Sequence, residues 1–158
     1  MHSAIFQIST KPIGEDERTK PEYYYEDSYF ADYIGDEFEG GDREDAIKSL
    51  AESLDGVFKS AGGDCLVYLG KDSLKKFLQA WADDIKANAA ELTADNILSE
   101  IRALKLSVQE THKHSSFRVH IEEYNGWAGP ITDLIEFADW KLKEGDKIYV
   151  GAVIDYHF

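Results

Sequence analysis

The spacing of apolar residues divides the chain into segments of two periods. Ala4, Phe6 and Ile8 recur at every second position and predict a strand over 4–8, ended by Lys11-Pro12-Ile13-Gly14. From Asp27 to Phe38 the spacing lengthens. With Asp27 as N-cap, Phe30, Ala31, Ile34 and Phe38 share one side of a short helix, and Asp32, Asp36 and Glu39 share the other until Gly40-Gly41 interrupts. Behind Asp42 a longer helix is predicted from Arg43 to Ser60, with Ile47, Leu50, Ala51, Leu54, Val57 and Phe58 as its core stripe and Gly62-Gly63 as its stop. Cys65 to Leu69 reads as a short buried strand. A helix after Asp72 turns Leu74, Phe77, Leu78, Trp81 and Ile85 inward, and another after Thr93 uses Ile97, Ile101 and Leu104.

The stretch from Lys105 to Tyr124 reads as a hairpin. Leu106 and Val108 alternate on one arm, Phe117, Val119 and Ile121 on the other, and His112 to Ser116 forms the turn. After an Asn125–Pro130 loop, a helix over Ile131–Lys143 and a final strand over Ile148–Tyr156 complete the chain. The order β-α-α-β-α-α-β-β-α-β predicts one α+β domain over residues 1–158. About five strands in a mostly antiparallel or mixed sheet would pack with four to five helices.

Charge alters this picture in one place. Thirteen of the 31 acidic residues fall between Glu15 and Asp45, opposed only by Arg18, Lys20 and Arg43, so this stretch carries −10 of the net −14. It also holds Tyr23, Tyr24, Tyr25, Tyr29, Phe30, Tyr33 and Phe38. A solvating acidic tail would be poor in aromatics, and an ordinary buried segment would not be so charged. A folded acidic surface bearing tyrosines reconciles the two. On the expected 27–38 helix, Asp32 and Asp36 are like charges at i,i+4, which costs about 0.2–0.5 kcal/mol and would be relieved by a cationic partner. The residues assigned to partner binding are therefore Tyr24, Glu26, Asp27, Tyr29, Asp32, Asp36 and Glu39.

A second interface is expected on the Ile131 helix. Ile131, Leu134, Ile135, Ala138 and Leu142 already form a core stripe, which leaves Phe137 and Trp140 facing outward near Trp127. Metal ligation is not expected: His112-Lys113-His114 sits in a turn, His120-x-Glu122 belongs to the polar face of a strand, and neither C-x-x-C nor H-E-x-x-H occurs. Catalytic motifs are likewise missing. Leu69-Gly70-Lys71-Asp72 resembles the end of a phosphate loop, but Cys65 and Asp72 stand where that loop needs Gly and Ser or Thr. Cys65, the single cysteine, lies in an apolar strand and reads as packing.

The N-terminus lacks the basic and apolar regions of a signal peptide, and no apolar run approaches the roughly 20 residues of a membrane helix, so a soluble, cytoplasmic protein is expected. The acidic balance disfavours nucleic acid and anionic membrane as direct partners and favours basic proteins. In size, acidity and lack of a catalytic signature, the chain resembles small accessory proteins of phages and mobile elements, among them nuclease inhibitors and acidic immunity proteins. That resemblance is compositional and carries no site residues. The expectation is a non-enzymatic, cofactor-free module that binds a basic protein surface, such as that of a nucleic-acid-binding enzyme, by mimicry of phosphate charge. The alternatives are a homo-oligomer, such as a homodimer joined by the aromatic patch, and a small enzyme with an unfamiliar site.

Overall fold

A computed structural model describes residues 2–24, 30–109, 116–124 and 126–158. Its backbone is organised by one long strand, β7 (Lys147–His157), flanked along its length on one edge by β1 (His2–Ser9), antiparallel, from His2 opposite His157 to Ser9 opposite Tyr149. The other edge of β7 is shared end to end by two short strands. β4 (Cys65–Tyr68) pairs with residues 147–149, and β2 (Tyr33–Glu37) pairs with residues 154–157. Outside β4 lies β3 (Phe58–Gly62). Outside β1 lie β5 (Arg118–Ile121), parallel to it, and the two-residue β6 (Gly129–Pro130). The result is a seven-stranded mixed sheet in a single α+β domain, with more strands than the sequence suggests.

Four α-helices are described: α1 (Gly40–Ser53), α2 (Lys71–Ala90), α3 (Ile97–Gln109) and α4 (Ile131–Lys141). One sheet face carries the main core, where Phe6, Ile8, Val119, Ile121 and Val153 meet Leu50 of α1, Leu74 and Phe77 of α2, and Leu134 and Phe137 of α4. Seven of β1's eight residues are buried, which explains its near-continuous apolar run: both of its faces are covered. The main core releases α2 after Phe77. Among the residues from 78 to 109 whose burial is described, none is fully buried, and Leu98 is 93% exposed. The inward placement expected for Leu78, Trp81 and Ile85 therefore does not hold: Leu78 is exposed, and the other two are half-buried.

Three expected elements differ. The helix expected over 27–38 is strand β2 in its described part, while 25–29 lie outside the described residues. Gly35 weakens a helix by about 1 kcal/mol relative to Ala, whereas Tyr33 and Ile34 suit a strand and β7 offers an open edge. The helix expected to reach Ser60 ends at Ser53. Gly56 adopts φ 94°, Val57 is buried in the turn that follows, and Phe58 enters the sheet as the first residue of β3. The expected first arm of a 105–124 hairpin is the end of α3. Positions 97, 101, 104 and 108 continue a helical spacing that the local alternation of Leu106 and Val108 conceals. The expected turn lies almost wholly outside the described residues, and only its second arm, β5, is a strand.

Candidate functional site

Two features bear on function: how the acidic segment is attached to the sheet, and the cleft beside it. Both begin at an irregularity in β7. Between Phe6 and Ile8 of β1, β7 spends one extra residue, since Phe6 faces Val153 and Ile8 faces Val150. Such a bulge turns backbone groups out of the ladder. Two buried polar side chains meet them. The Gln7 carbonyl oxygen accepts the Ala152 N–H at 3.0 Å, and Arg43 of α1 donates from Nη2 to the Val150 and Gly151 carbonyls at 2.9 and 2.7 Å. Arg43 Nη1 also donates to Asp64 Oδ1 at 2.5 Å. Gly151 leaves room for this arrangement, because a Cβ there would come within 2.4 Å of Gln7 Oε1 and 2.8 Å of Ile13 Cδ1 and so displace the Gln7 amide.

Gln7 also reaches the acidic segment. Its Oε1 accepts the Thr19 N–H at 3.0 Å, while its Nε2 donates to the Glu17 carbonyl at 3.1 Å and to Glu122 Oε1 at 2.7 Å. Further along, Tyr24 is buried and its hydroxyl lies 2.9 Å from His120 Nδ1. Burial pushes the Tyr24 phenol well above its ordinary range and lowers the His120 imidazole, with Glu122 partly opposing the latter. Burial thus favours the neutral form of both groups, and a single hydrogen bond joins them. Tyr23 stacks on the same imidazole at 5.3 Å with rings 2° from parallel, and its hydroxyl donates to the Gly126 carbonyl. Glu123 closes the start of the segment: burial raises its carboxyl, but bonds from Thr10 and Ser9 outweigh that and lower it overall. The segment is thus a covering for the second sheet face, where Tyr24 joins Ile5, Ile34, Ala152, Ile154 and Tyr156.

The cleft lies between α1, the β3–β4 hairpin and the turn at Glu15–Glu17, with a volume of about 1350 Å3. Glu15, Glu37, Glu39, Glu44, Glu52, Asp55 and Asp64 contribute acids to its walls, against Arg18, Arg43, Lys48 and Lys59. Two of these cations are directed inward. Arg43 is buried against the sheet carbonyls, and Arg18 pairs with Glu37 at 3.4 Å. Glu15, Glu39 and Glu44 stay exposed, as do Lys48 and Lys59, and Asp36, next to Glu37 at the β2 irregularity, is exposed as well.

The residues assigned to partner binding separate accordingly. Tyr24 is 4% exposed and cannot contact a partner; its aromatic ring serves the second core and its hydroxyl serves His120. Glu26, Asp27 and Tyr29 lie outside the described residues. Asp32, Asp36 and Glu39 are exposed, but they sit before, within and after a strand and so do not form one helical stripe. Trp140 of α4 is 73% and Trp127, in the preceding loop, 45% exposed, as expected, whereas Phe137 of α4 is fully buried. At 100° per residue Phe137 lies about 120° from the centre of the stripe and Trp140 about 180°, so a modest widening of the covered face takes in the first alone. Phe137 joins the main core, and the Tyr124 ring lies 5.9 Å from it and 6.3 Å from Trp140. Of the metal-ligand types considered in sequence, His112 and His114 lie outside the described residues, and His120 is engaged by Tyr24. The cleft itself was hidden in the sequence because it joins residues from four separate elements; Arg43 carried the only signal, as a cation on an otherwise acidic helix start.

No protein-family model, curated protein or solved structure matches the chain. No described helix is long and apolar enough to cross a membrane.

Proposed function

We propose that the protein is a non-catalytic module that binds a Lys/Arg-rich protein surface along the acidic side of the α1 cleft. The observation that carries this reading is the asymmetry of the cleft. Glu15, Glu39 and Glu44 are exposed at its edge, while Arg43 and Arg18, which would offset them, are drawn into intramolecular bonds. A cationic side chain entering there meets carboxylates without first displacing those two guanidinium groups. Exposed carboxylates of one sign also steer association, which gives fast and salt-sensitive binding. In its finer form, the reading makes the partner a nucleic-acid enzyme whose phosphate-reading groove the carboxylates occupy.

The test is a titration with a Lys/Arg-rich peptide at low and at physiological salt, comparing the natural chain with a triple Asp36→Asn, Glu39→Gln, Glu44→Gln variant. All three positions are exposed, so the fold should be retained. The expected result is binding at least tenfold weaker in the variant, equivalent to about 1.4 kcal/mol, with a flatter salt dependence. Equal affinity in the two proteins would end the proposal. Competition between duplex DNA and the protein for a nucleic-acid enzyme of the native host examines the finer form.

A further inference from the structure

At one end of the sheet, the first and last strands bring together three side chains that lie at opposite ends of the sequence. His2 stands on β1, and Asp155 and His157 stand on β7. His2 is directly opposite His157, and Asp155 is two residues back along the same strand, so all three belong to one sheet face. Each offers a metal-ligating atom, and these atoms lie within 4.8 Å of one another. His2 Nδ1 is 3.3 Å from both Asp155 oxygens, and His157 Nε2 is 3.2 Å from Asp155 Oδ2.

Those separations are informative. They join the two rings to the carboxylate by long hydrogen bonds. They also lie close to the edge of a coordination tetrahedron, because bonds of about 2.0–2.1 Å to nitrogen and oxygen set neighbouring ligands about 3.3–3.4 Å apart. The surrounding fold holds the arrangement. The two imidazoles are in contact at 3.7 Å between centroids, and Tyr33 of β2 packs its edge against His157. Residue 35 is glycine, and a Cβ there would come within 2.9 Å of Asp155 Oδ2. The carboxylate is recessed, with 17% of its side chain exposed, beneath a His2 ring that is 72% exposed. An ion could therefore enter from solvent without opening the core.

We propose that His2, Asp155 and His157 form a binding site for a divalent transition ion, with zinc as the best fit. Two imidazoles and one carboxylate suit a metal of borderline softness, whereas calcium and magnesium favour sites built of oxygen alone. Three protein ligands leave a fourth position for water or for a ligand from another molecule. The ion would fasten the start of β1 to the end of β7. Because the site exists only when those strands are paired, binding would stabilise the fold.

The test uses the full chain freed of metal by a chelator. Calorimetric titration with zinc should give one ion per chain, and cobalt should give the absorption bands of a tetrahedral site. The thermal midpoint should rise by several degrees with zinc and return with EDTA. Asp155→Asn and His157→Gln should each weaken zinc binding at least tenfold, with metal-free circular dichroism unchanged. His2→Gln, at the most exposed ligand, should do the same and keeps the test independent of folding. A His112→Ala, His114→Ala double variant should bind zinc as the natural chain does. Absence of one-to-one binding below about 100 µM zinc, or loss of binding in the His112/His114 variant with retention in Asp155→Asn, would overturn the proposal.

Discussion

The two faces of the sheet are covered by different means. Among the described residues, one face gathers 23 buried residues into a continuous core beneath α1, α2 and α4, whereas the other gathers seven beneath a segment whose described helical turns are two short 3-10 pieces. The first face is held by apolar area and close packing. On the second, apolar contact is supplemented by specific polar joints: Gln7 to Glu17, Thr19 and Ala152, and Tyr24 to His120. An acidic stretch with few aliphatic residues cannot bury enough area to order itself by the hydrophobic effect alone. Tyrosines solve that difficulty, since each adds a large apolar ring and a hydroxyl that can be satisfied. The lesson is that the tyrosines of this segment divide their labour from its carboxylates: rings such as Tyr24 fasten it down, and acids such as Glu39 remain outside.

That contrast predicts a graded response to substitution. The largest effect belongs to the helical face. Phe6 is fully buried and meets Phe117 edge-on at 5.2 Å, so Phe6→Ala should cost about 3–5 kcal/mol in urea denaturation and lower the midpoint of the single transition. A smaller and more local effect is expected from Gln7→Ala. It leaves the buried Ala152 N–H without its side-chain acceptor, at about 1–3 kcal/mol, and releases Thr19 at the same time. Hydrogen exchange should then accelerate in residues 15–24 well before it does in α4. Uniform acceleration in both regions would mean that the two coverings are one cooperative unit.

Much of the helical face was legible in the sequence, and the polar face was not. The stripes Ile47–Leu50–Leu54 and Leu134–Ile135–Ala138 identify their helices because burial on one side of a helix leaves a periodic trace. Strand β1 was found from its alternation, with Ala4, Phe6 and Ile8 indeed sharing the main core, although its other face is buried too. Reading failed where a residue's burial came from a partner distant in sequence. Phe30, Ile34 and Phe38 mimic a helical stripe, yet Ile34 is buried because it pairs with Tyr156 at the far end of the chain. Val57 and Phe58 continue the α1 stripe in register, but Val57 lies in the turn after the helix and Phe58 opens the next strand. The exposed acids were recognisable by type. The cleft that gathers Glu15, Glu39 and Glu44 was not, because it depends on where a β7 bulge draws Arg43.

The subtlest difference between the faces is expected in their response to acid. His120 is a buried imidazole on the polar face, in contact with Tyr23 and Tyr24, and burial lowers its pKa below the ordinary value of about 6.5. Its charged and polar neighbours are Glu122, which favours the protonated ring without overcoming burial, and the Tyr24 hydroxyl, while Tyr23 meets it through a stacked ring. Because the unfolded chain then binds the proton more readily than the folded one, stability rises with pH across this window. The contribution is fully present above the unfolded value and is lost as pH falls through the lowered folded value. Protonation makes both ring nitrogens donors, so Nδ1 then meets the Tyr24 hydroxyl only as a donor. Stability measured in urea from about pH 7.5 to about pH 5 should therefore fall in the natural chain, and the fall should be shallower in His120→Gln, which cannot take up the proton. Hydrogen exchange over residues 15–24 should accelerate on acidification before exchange in α4 does. A pH dependence identical in the two proteins would assign the acid sensitivity to the carboxylates and leave His120 as a packing residue alone.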